Sequence, residues 1–285
     1  MSDVDLRQLR YLVAVADEGG ITRAAERLTM TQPALSRAIA TLERAVGVPL
    51  VERRPRGTVL TEAGEVLAER ARAIERQVSS AVWQARETGD GAPPIRISAR
   101  ACEFEALQEL IRGFTAAHPG QRAEAVMADW RTQLSILRSG GTELALVSGE
   151  VDDEGLDSAV LAVHERLAVL PAGHKLADRE TVDRAELLPD PVIGWAGSPP
   201  AERDYVLDLA PLAGPEVEDL LQLVVQIRTG SGIAFLSQAM LDEIPRLTGV
   251  AVVRVEGLAP ARLQLLWPEQ QTSTAVARFV QHATA

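Results

Sequence analysis

The apolar positions of this chain change period part-way along. Leu6, Leu9, Leu12, Val13 and Ala16 form the stripe of an amphipathic helix, which Gly19-Gly20 ends. A second short helix is expected with Thr22 as its N-cap and Ala24, Ala25 and Leu28 facing inward. Thr29-Met30-Thr31 reads as a turn. Thr31 is placed to cap the next helix, and Pro33 falls in a first turn, where its missing N–H is harmless. Leu35, Ile39 and Leu42 then repeat at helical spacing as far as Val46, with Gly47 as C-cap. The opposite face of that helix carries Gln32, Pro33, Ser36, Arg37 and Ala40. Pro49 to Leu60 follows as two short β-like runs around Arg53-Arg54-Pro55-Arg56-Gly57, a hairpin with a cationic tip. Thr61 then caps a long helix. In it Leu67, Ala71, Ile74, Val78, Ala81 and Ala85 are spaced alternately four and three apart, the a/d seam of a helix pair; a single amphipathic helix packed on its own domain is the alternative.

The composition from Thr88 to Pro94, rich in Gly and Pro, is that of a linker. Beyond it the pattern alternates. Residues 95–98, 123–127 and 143–147 read as strands. Leu107, Leu110, Ile111 and Phe114 mark one intervening helix, and Leu134 and Leu137 another. That βαβαβ order predicts a parallel sheet. A second set begins near Arg166, with strands at 191–195, 233–236, 250–255 and 261–267, a helix from Val217 to Thr229 and a last helix over 273–283. Two similar halves predict a bilobal binding domain with a cleft between them. Ligands of such folds sit at strand C-termini and helix N-termini, where backbone N–H groups favour anions. The candidates are Ser98, Arg100, Ala101 and Cys102 after the first strand, Asp129 and Thr132 after the second, Ser148 after the third, and Trp195 and Ser198 from the other half. Each has a plainer reading: Ser98 as a cap, Arg100 as a surface residue, Trp195 as core. An inward and unpaired Arg100 would favour an anionic ligand.

Charge changes the picture by its distribution. The net charge of −11 argues against a nucleic-acid partner only if it is uniform. Residues 1–60 hold nine Arg against seven carboxylates, whereas residues 91–285 hold sixteen cations against twenty-seven carboxylates. Only the first segment suits a phosphate surface, and its cations are all Arg, which favours bidentate contacts to guanine or phosphate. An amide, a hydroxyl and a guanidinium on the low-relief face of the helix from Gln32 can reach base edges in a major groove, and the cationic hairpin can track the backbone or enter the minor groove. The plainer readings are a surface helix and a solvated charged turn.

Catalytic and metal signatures are missing from the sequence. There is no GxSxG and no P-loop; GSGIAF at 230–235 lacks the third glycine and lies between a helix and a strand in the wrong order. Cys102, the single cysteine, excludes an internal disulfide and has no histidine nearby in sequence. The four histidines, His118, His164, His174 and His282, have no metal-ligand spacing. No metal or cofactor is expected, nor a signal peptide or membrane span, so a cytoplasmic location is expected.

The segment ITRAAERLTMTQPALSRAIATLERAVGVPLVERRPRGTVLTEAG resembles the DNA-binding segment of LysR-type transcriptional regulators, through AAERL, QPALSRAI, the basic wing and LTEAG; weaker echoes run to the C-terminus. The resemblance implies a mixed α/β chain: a winged helix-turn-helix over 1–60, a linker and dimerisation helix over 61–88, a hinge over 89–94, and a periplasmic-binding-protein-like effector domain over 95–285. Lobe I would take about 95–162 and 268–285, and lobe II about 163–267, with crossings near Val163–Leu167 and Leu265–Trp267. Thr31, Gln32, Pro33, Ser36, Arg37, Arg53, Arg54 and Arg56 would contact double-stranded promoter DNA. The long helix would pair two copies as a homodimer, or a tetramer as a dimer of dimers, on a dyad-related site. A small-molecule effector in the cleft would alter DNA bend and access of RNA polymerase. The sequence departs from the family near Arg100, where the segment is a residue or two shorter, and at Ser237, where a proline often follows the strand. A ligand-binding module or an enzyme descended from one is the competing class, as is an architectural DNA protein.

Overall fold

A computed structural model describes residues 4–54, 57–87, 93–198, 202–203, 214–242 and 248–285. Two compact units separate, one built from residues 1–86 with 138–140, the other from the remainder.

The first unit opens with α1 (Leu6–Glu18). Asp5 and Gln8 close a capping box at its start, and Gly19 in the left-handed region ends it. Next come α2 (Ile21–Arg27) and α3 (Gln32–Val46). The expected Thr22 cap is corrected: Gly20 is the cap residue of α2, because the chain reverses at the glycine pair and helical geometry resumes at once. Thr29 takes φ 53° in the turn, Thr31 caps α3 without a side-chain bond, and Gly47 ends α3 at φ 87°. Leu9, Leu12, Ala24, Ala25, Leu35, Ile39 and Leu42 make one buried cluster. Strands β1 (Val51–Arg54) and β2 (Gly57–Leu60) pair antiparallel, Arg54 opposite Gly57.

Glu43 fastens the end of α3 to the hairpin, its Oε1 accepting the N–H groups of Leu50 (2.8 Å) and Val51 (3.2 Å). Helix α4 (Glu62–Glu87) starts where the Thr61 hydroxyl accepts the N–H of Gly64 at 3.0 Å. Its first turns complete the core: Ala68 and Ala71 are buried, with Ala63 and Leu67 packed against the cluster. Leu67 and Ala71, both expected in the seam, are thus used in the core of their own unit, Ala71 fully buried and Leu67 packed against the cluster. The a/d spacing is real, but these two positions are consumed there. Ile74, Ala81 and Ala85 stay exposed and Val78 half-buried.

The second unit contains two mixed sheets. The five-stranded one has the order β4 (Ala123–Met127), β3 (Ile95–Ala99), β5 (Leu144–Ser148), β13 (Ala261–Pro268), β6 (Leu156–His164). Strands β3, β4 and β5 are parallel, as βαβαβ order requires, and β13 runs antiparallel to both its neighbours. The four-stranded sheet has the order β11 (Ala234–Ser237), β7 (Arg166–Pro171), β12 (Val250–Glu256), β8 (Thr181–Asp183). A short parallel pair, β9 (Gly194–Trp195) with β10 (Glu216–Val217), lies beside it. Helices α5 (Phe104–Ala117), α6 (Gln133–Arg138), α7 (Arg184–Leu187), α8 (Leu220–Arg228), α9 (Gln238–Asp242) and α10 (Thr274–Ala283) cover the sheets. Phe279 of α10 stacks on Phe114 of α5 with centroids 4.8 Å apart, so the last helix returns to the first sheet.

Three expectations change. The second crossing falls at 257–260, not Leu265–Trp267, because β13 as a whole is in the five-stranded sheet. Buried between two neighbours, its apolar run announces a central strand but not which sheet owns it. Helix α8 begins at Leu220, where Asp219 accepts the N–H of Gln222 at 2.8 Å, and Val217 is in a strand. The strand expected at 191–195 is reduced to Gly194–Trp195. The first crossing is at Glu165, between β6 and β7.

Candidate functional sites

Two sites follow from these elements. On α3, Leu35, Ile39 and Leu42 anchor the helix from behind, so the turns between them face out. Thr31, Gln32, Pro33 and Arg37 are exposed and Ser36 half-buried. No acidic residue occupies the first turn, so the helix N-terminus keeps its positive end for an anion. No described residue pairs with the Arg37 guanidinium. Arg44, one face further on, is instead folded onto its own helix, bonded to the Ala40 carbonyl and the Thr41 hydroxyl. Arg27 is likewise spent, paired to Asp17 and Glu18. On the hairpin, Arg54 pairs with Glu52 at 2.5 Å. Arg53 is on β1, and Arg56 lies outside the described residues.

The second site forms where the C-terminal ends of β3 and β5 meet the start of β7. After β3 the chain turns at Arg100 into a short 3-10 turn, Ala101–Glu103. Arg100 and Glu103 are buried and ion-paired. Glu103 also accepts the backbone N–H groups of Arg100 (2.9 Å) and Ser148 (3.1 Å), while Arg100 donates to the Ser148 carbonyl at 2.5 Å. The Trp130 ring centre lies 3.4 Å from the guanidinium carbon. Burial alone would lower the pKa of Arg100, but the Glu103 carboxylate overrides it and raises it. Arg100 is thus inward, not the surface residue of its plainer reading, but the condition that would favour an anionic ligand, an unpaired guanidinium, is not met: its charge is matched from three residues away, at the spacing of a capping box.

The remaining candidates divide. Ser148 and Cys102 join the Arg100 cluster; burial pushes the Cys102 thiol up to about 12, which leaves it protonated and unreactive at neutral pH. Ser98 is buried and donates to the Leu144 carbonyl, so it is a sheet residue. Asp129 and Thr132 are exposed and bonded to each other, Thr132 N–H to Asp129 at 2.8 Å, which starts α6. Trp195 packs against the core of the four-stranded sheet, its plainer reading. Ser198 is buried in the turn after it. Ala101 is exposed.

Sequence reasoning missed Glu103, Trp130, Gln133, Arg166 and Glu202. Gln133 is buried and donates to the Leu146 carbonyl at 2.8 Å. Arg166 opens β7, buried, with Glu202 at 3.6 Å. The Arg100–Glu103 spacing was a usable signal. Nothing local marks Arg166 or Glu202, which are paired only by the fold.

Comparison with known proteins places these sites in context. Residues 6–65 match the model of the bacterial regulatory helix-turn-helix protein, lysR family, and residues 89–285 match the LysR substrate binding domain. The chain is 27% identical to the uncharacterized HTH-type transcriptional regulator YnfL of Escherichia coli (strain K12), over 97% of this chain and 96% of that one. It is 35% identical to the SDS degradation transcriptional activation protein of Pseudomonas sp. (strain ATCC 19151), over 67% of this chain and 64% of that one. Among solved structures, full-length CbnR complexed with its target DNA superposes with a TM-score of 0.56 at 22% identity, covering 98% of this chain and 99% of that one. Full-length BenM does so with 0.56 at 23%, covering 98% and 95%. No helix among the described residues is long and apolar enough to cross a membrane. The chain belongs to the LysR family of bacterial transcriptional regulators: it is a DNA-binding regulator with a helix-turn-helix at one end and an effector-binding domain at the other.

Proposed function

We propose that the exposed face of α3 reads promoter DNA in the major groove, with Thr31, Gln32, Pro33, Ser36 and Arg37 at base edges and adjacent phosphates. Arg53, Arg54 and Arg56 of the hairpin bind backbone or minor groove. The observation that carries this is Arg37: an exposed guanidinium, unpartnered among the described residues, on a helix whose other face is locked in the core. Two copies pair through the far half of α4, Ile74, Val78, Ala81 and Ala85, so the operator is dyad-related. A dimer of dimers and contact with RNA polymerase follow the family pattern, in the cytoplasm. A small-molecule effector binds at the junction of the two sheets near Arg100 and Ser148 and shifts the population of arrangements.

The test is a gel shift on the DNA upstream of the chain's own gene. Arg37→Ala should weaken specific binding by about 1–3 kcal/mol, the worth of one bidentate base contact, with the fold intact by circular dichroism. Equal operator affinity in the variant would take Arg37 off the reading face. An effector is found by a thermal-shift screen of small metabolites that also changes the operator complex.

A further inference from the structure

Glu202 puts a carboxylate at the junction of the two sheets of the second unit. Its Oε2 accepts the backbone N–H of Glu150 at 3.0 Å and lies 3.6 Å from Nη2 of Arg166. A Cβ on Gly149, which has φ 102°, would come within 2.9 Å of the same oxygen, so the missing side chain leaves the room that the carboxylate fills. Arg166 is only 4% exposed. Arg100 adds a weaker attraction. A backbone N–H, a buried guanidinium and a position without a side chain are the parts of an oxyanion site. Burial raises the pKa of Glu202 even so, with Arg166 opposing; the carboxylate is held there incompletely compensated.

The geometry points to this position as a carboxylate-binding subsite, with Glu202 as a built-in occupant that a monoanionic effector displaces. This rests on reading the sheet junction as the effector site. Binding is then an exchange of one carboxylate for another at the Glu150 N–H and Arg166, and the apparent affinity is reduced by the fraction of molecules in which Glu202 holds the place. The exchange also supplies a switch, since Glu202 can bridge to Glu150 only while no ligand is bound.

Acetate is the probe, titrated against chloride at equal ionic strength in thermal melts of the full chain. The wild type should respond alike to the two salts at concentrations where Glu202→Ala gains stability from acetate alone, with apparent affinity at least tenfold tighter than wild type. Methylammonium should do nothing in either. Glu202→Gln keeps the volume and an acceptor for the Glu150 N–H, so it guards against misfolding of the alanine variant; it too should gain acetate-specific stability. Identical acetate and chloride responses in both variants, or equal acetate gains in wild type and variants, would overturn the proposal. This readout involves neither effector nor DNA, so a fruitless effector screen leaves it standing, and a failed acetate rescue leaves the effector reading standing.

Discussion

At the scale of the residue, Gly64 shows how a close approach can override helix propensity. In an exposed helix, glycine to alanine gains about 1 kcal/mol. Gly64 is in the first turn of α4, and a Cβ there would meet the Leu50 carbonyl oxygen at 2.0 Å and its carbon at 3.0 Å. That carbonyl already accepts the Thr61 N–H at 3.0 Å, and the Thr61 hydroxyl donates to the Pro49 carbonyl at 2.8 Å. The joint between hairpin and linker helix is therefore backbone against backbone, with no flexible side chain to give way. Gly64→Ala should destabilise the first unit by about 2–4 kcal/mol, the range of severe overpacking, and lower its denaturation midpoint. A variant as stable as wild type in urea titration would mean that α4 starts further from Leu50 than the structure has it.

At the scale of the element, α4 and the hairpin each divide one segment between two tasks. The first turns of α4 belong to the core through Ala68 and Ala71; beyond them Ile74 and Val82 are exposed at 38% and 45%. The pairing proposed above would take Ile74 out of water, which a helix packed only on its own unit leaves exposed. If two copies pair through α4 as proposed, wild type should sediment as a dimer and Ile74→Glu as a monomer in analytical ultracentrifugation, with the circular dichroism of the chain unchanged; a dimer that persists in the variant would move the seam to another face. In the hairpin, Glu52 pairs with Arg54 and so offsets the charge that, in the proposed reading, Arg54 would offer to phosphate. The pair is exposed and worth less than about 1 kcal/mol, so its removal costs little fold stability. Glu52→Gln should raise operator affinity and steepen its salt dependence by up to about one unit, read from gel shifts across salt concentration; an unchanged slope would mean that Arg54 stays away from DNA.

The same elements show what the sequence made legible. Helices α1, α3, α4 and α10 and strands β3, β5 and β11 are announced by one-sided periodicity or unbroken apolar runs, which encode burial directly. Strand β6 is absent from the expectations: it follows an acidic stretch, is an edge strand and leaves Val160 and Val163 exposed, so no continuous core pattern marks it. The sheet that owns β13, and the pairing of Glu202 with Arg166, depend on contacts between distant segments that no window of sequence contains. The outward face of α3 was readable because its chemistry is arranged on one helix. The interior of the sheet junction was readable only in part: Arg100 and Ser148 follow strands that the pattern announces, whereas Arg166 and Glu202 come from two further stretches that nothing local marks.

At the scale of the whole molecule, burial has placed carboxylates where their charge is under-compensated. Glu75 on α4, Glu143 before β5 and Glu202 all have raised pKa values, desolvation outweighing the guanidinium beside each: Arg10, Arg96 and Arg166 respectively. A raised carboxylate pKa means that the folded chain holds the proton more tightly than the unfolded one. The stability contributed by protonation is therefore fully present below the ordinary carboxylate range and is lost as pH rises through the raised values. The net charge of −11 works in the same direction, because self-repulsion relaxes as carboxylates protonate. Melting temperature should therefore climb as pH is lowered through the raised values towards the ordinary carboxylate range, each such group adding up to about 1.4 kcal/mol per pH unit within its window.

Glu75 allows the cause to be isolated. Its partner Arg10 is 59% exposed, so removal of the carboxylate does not strand a buried cation, and Arg10 Nε, 3.1 Å from it, can turn to water. Glu75→Gln should thus leave the first unit as stable as wild type or more so at pH 7.5, and should flatten the pH dependence of that unit alone. A loss of more than about 2 kcal/mol at pH 7.5 would show instead that the Arg10–Glu75 pair holds α4 to α1 with a net gain. In that case the pH slope must come from Glu143 and Glu202 in the second unit, and Glu75→Gln would leave the slope of the second unit unchanged.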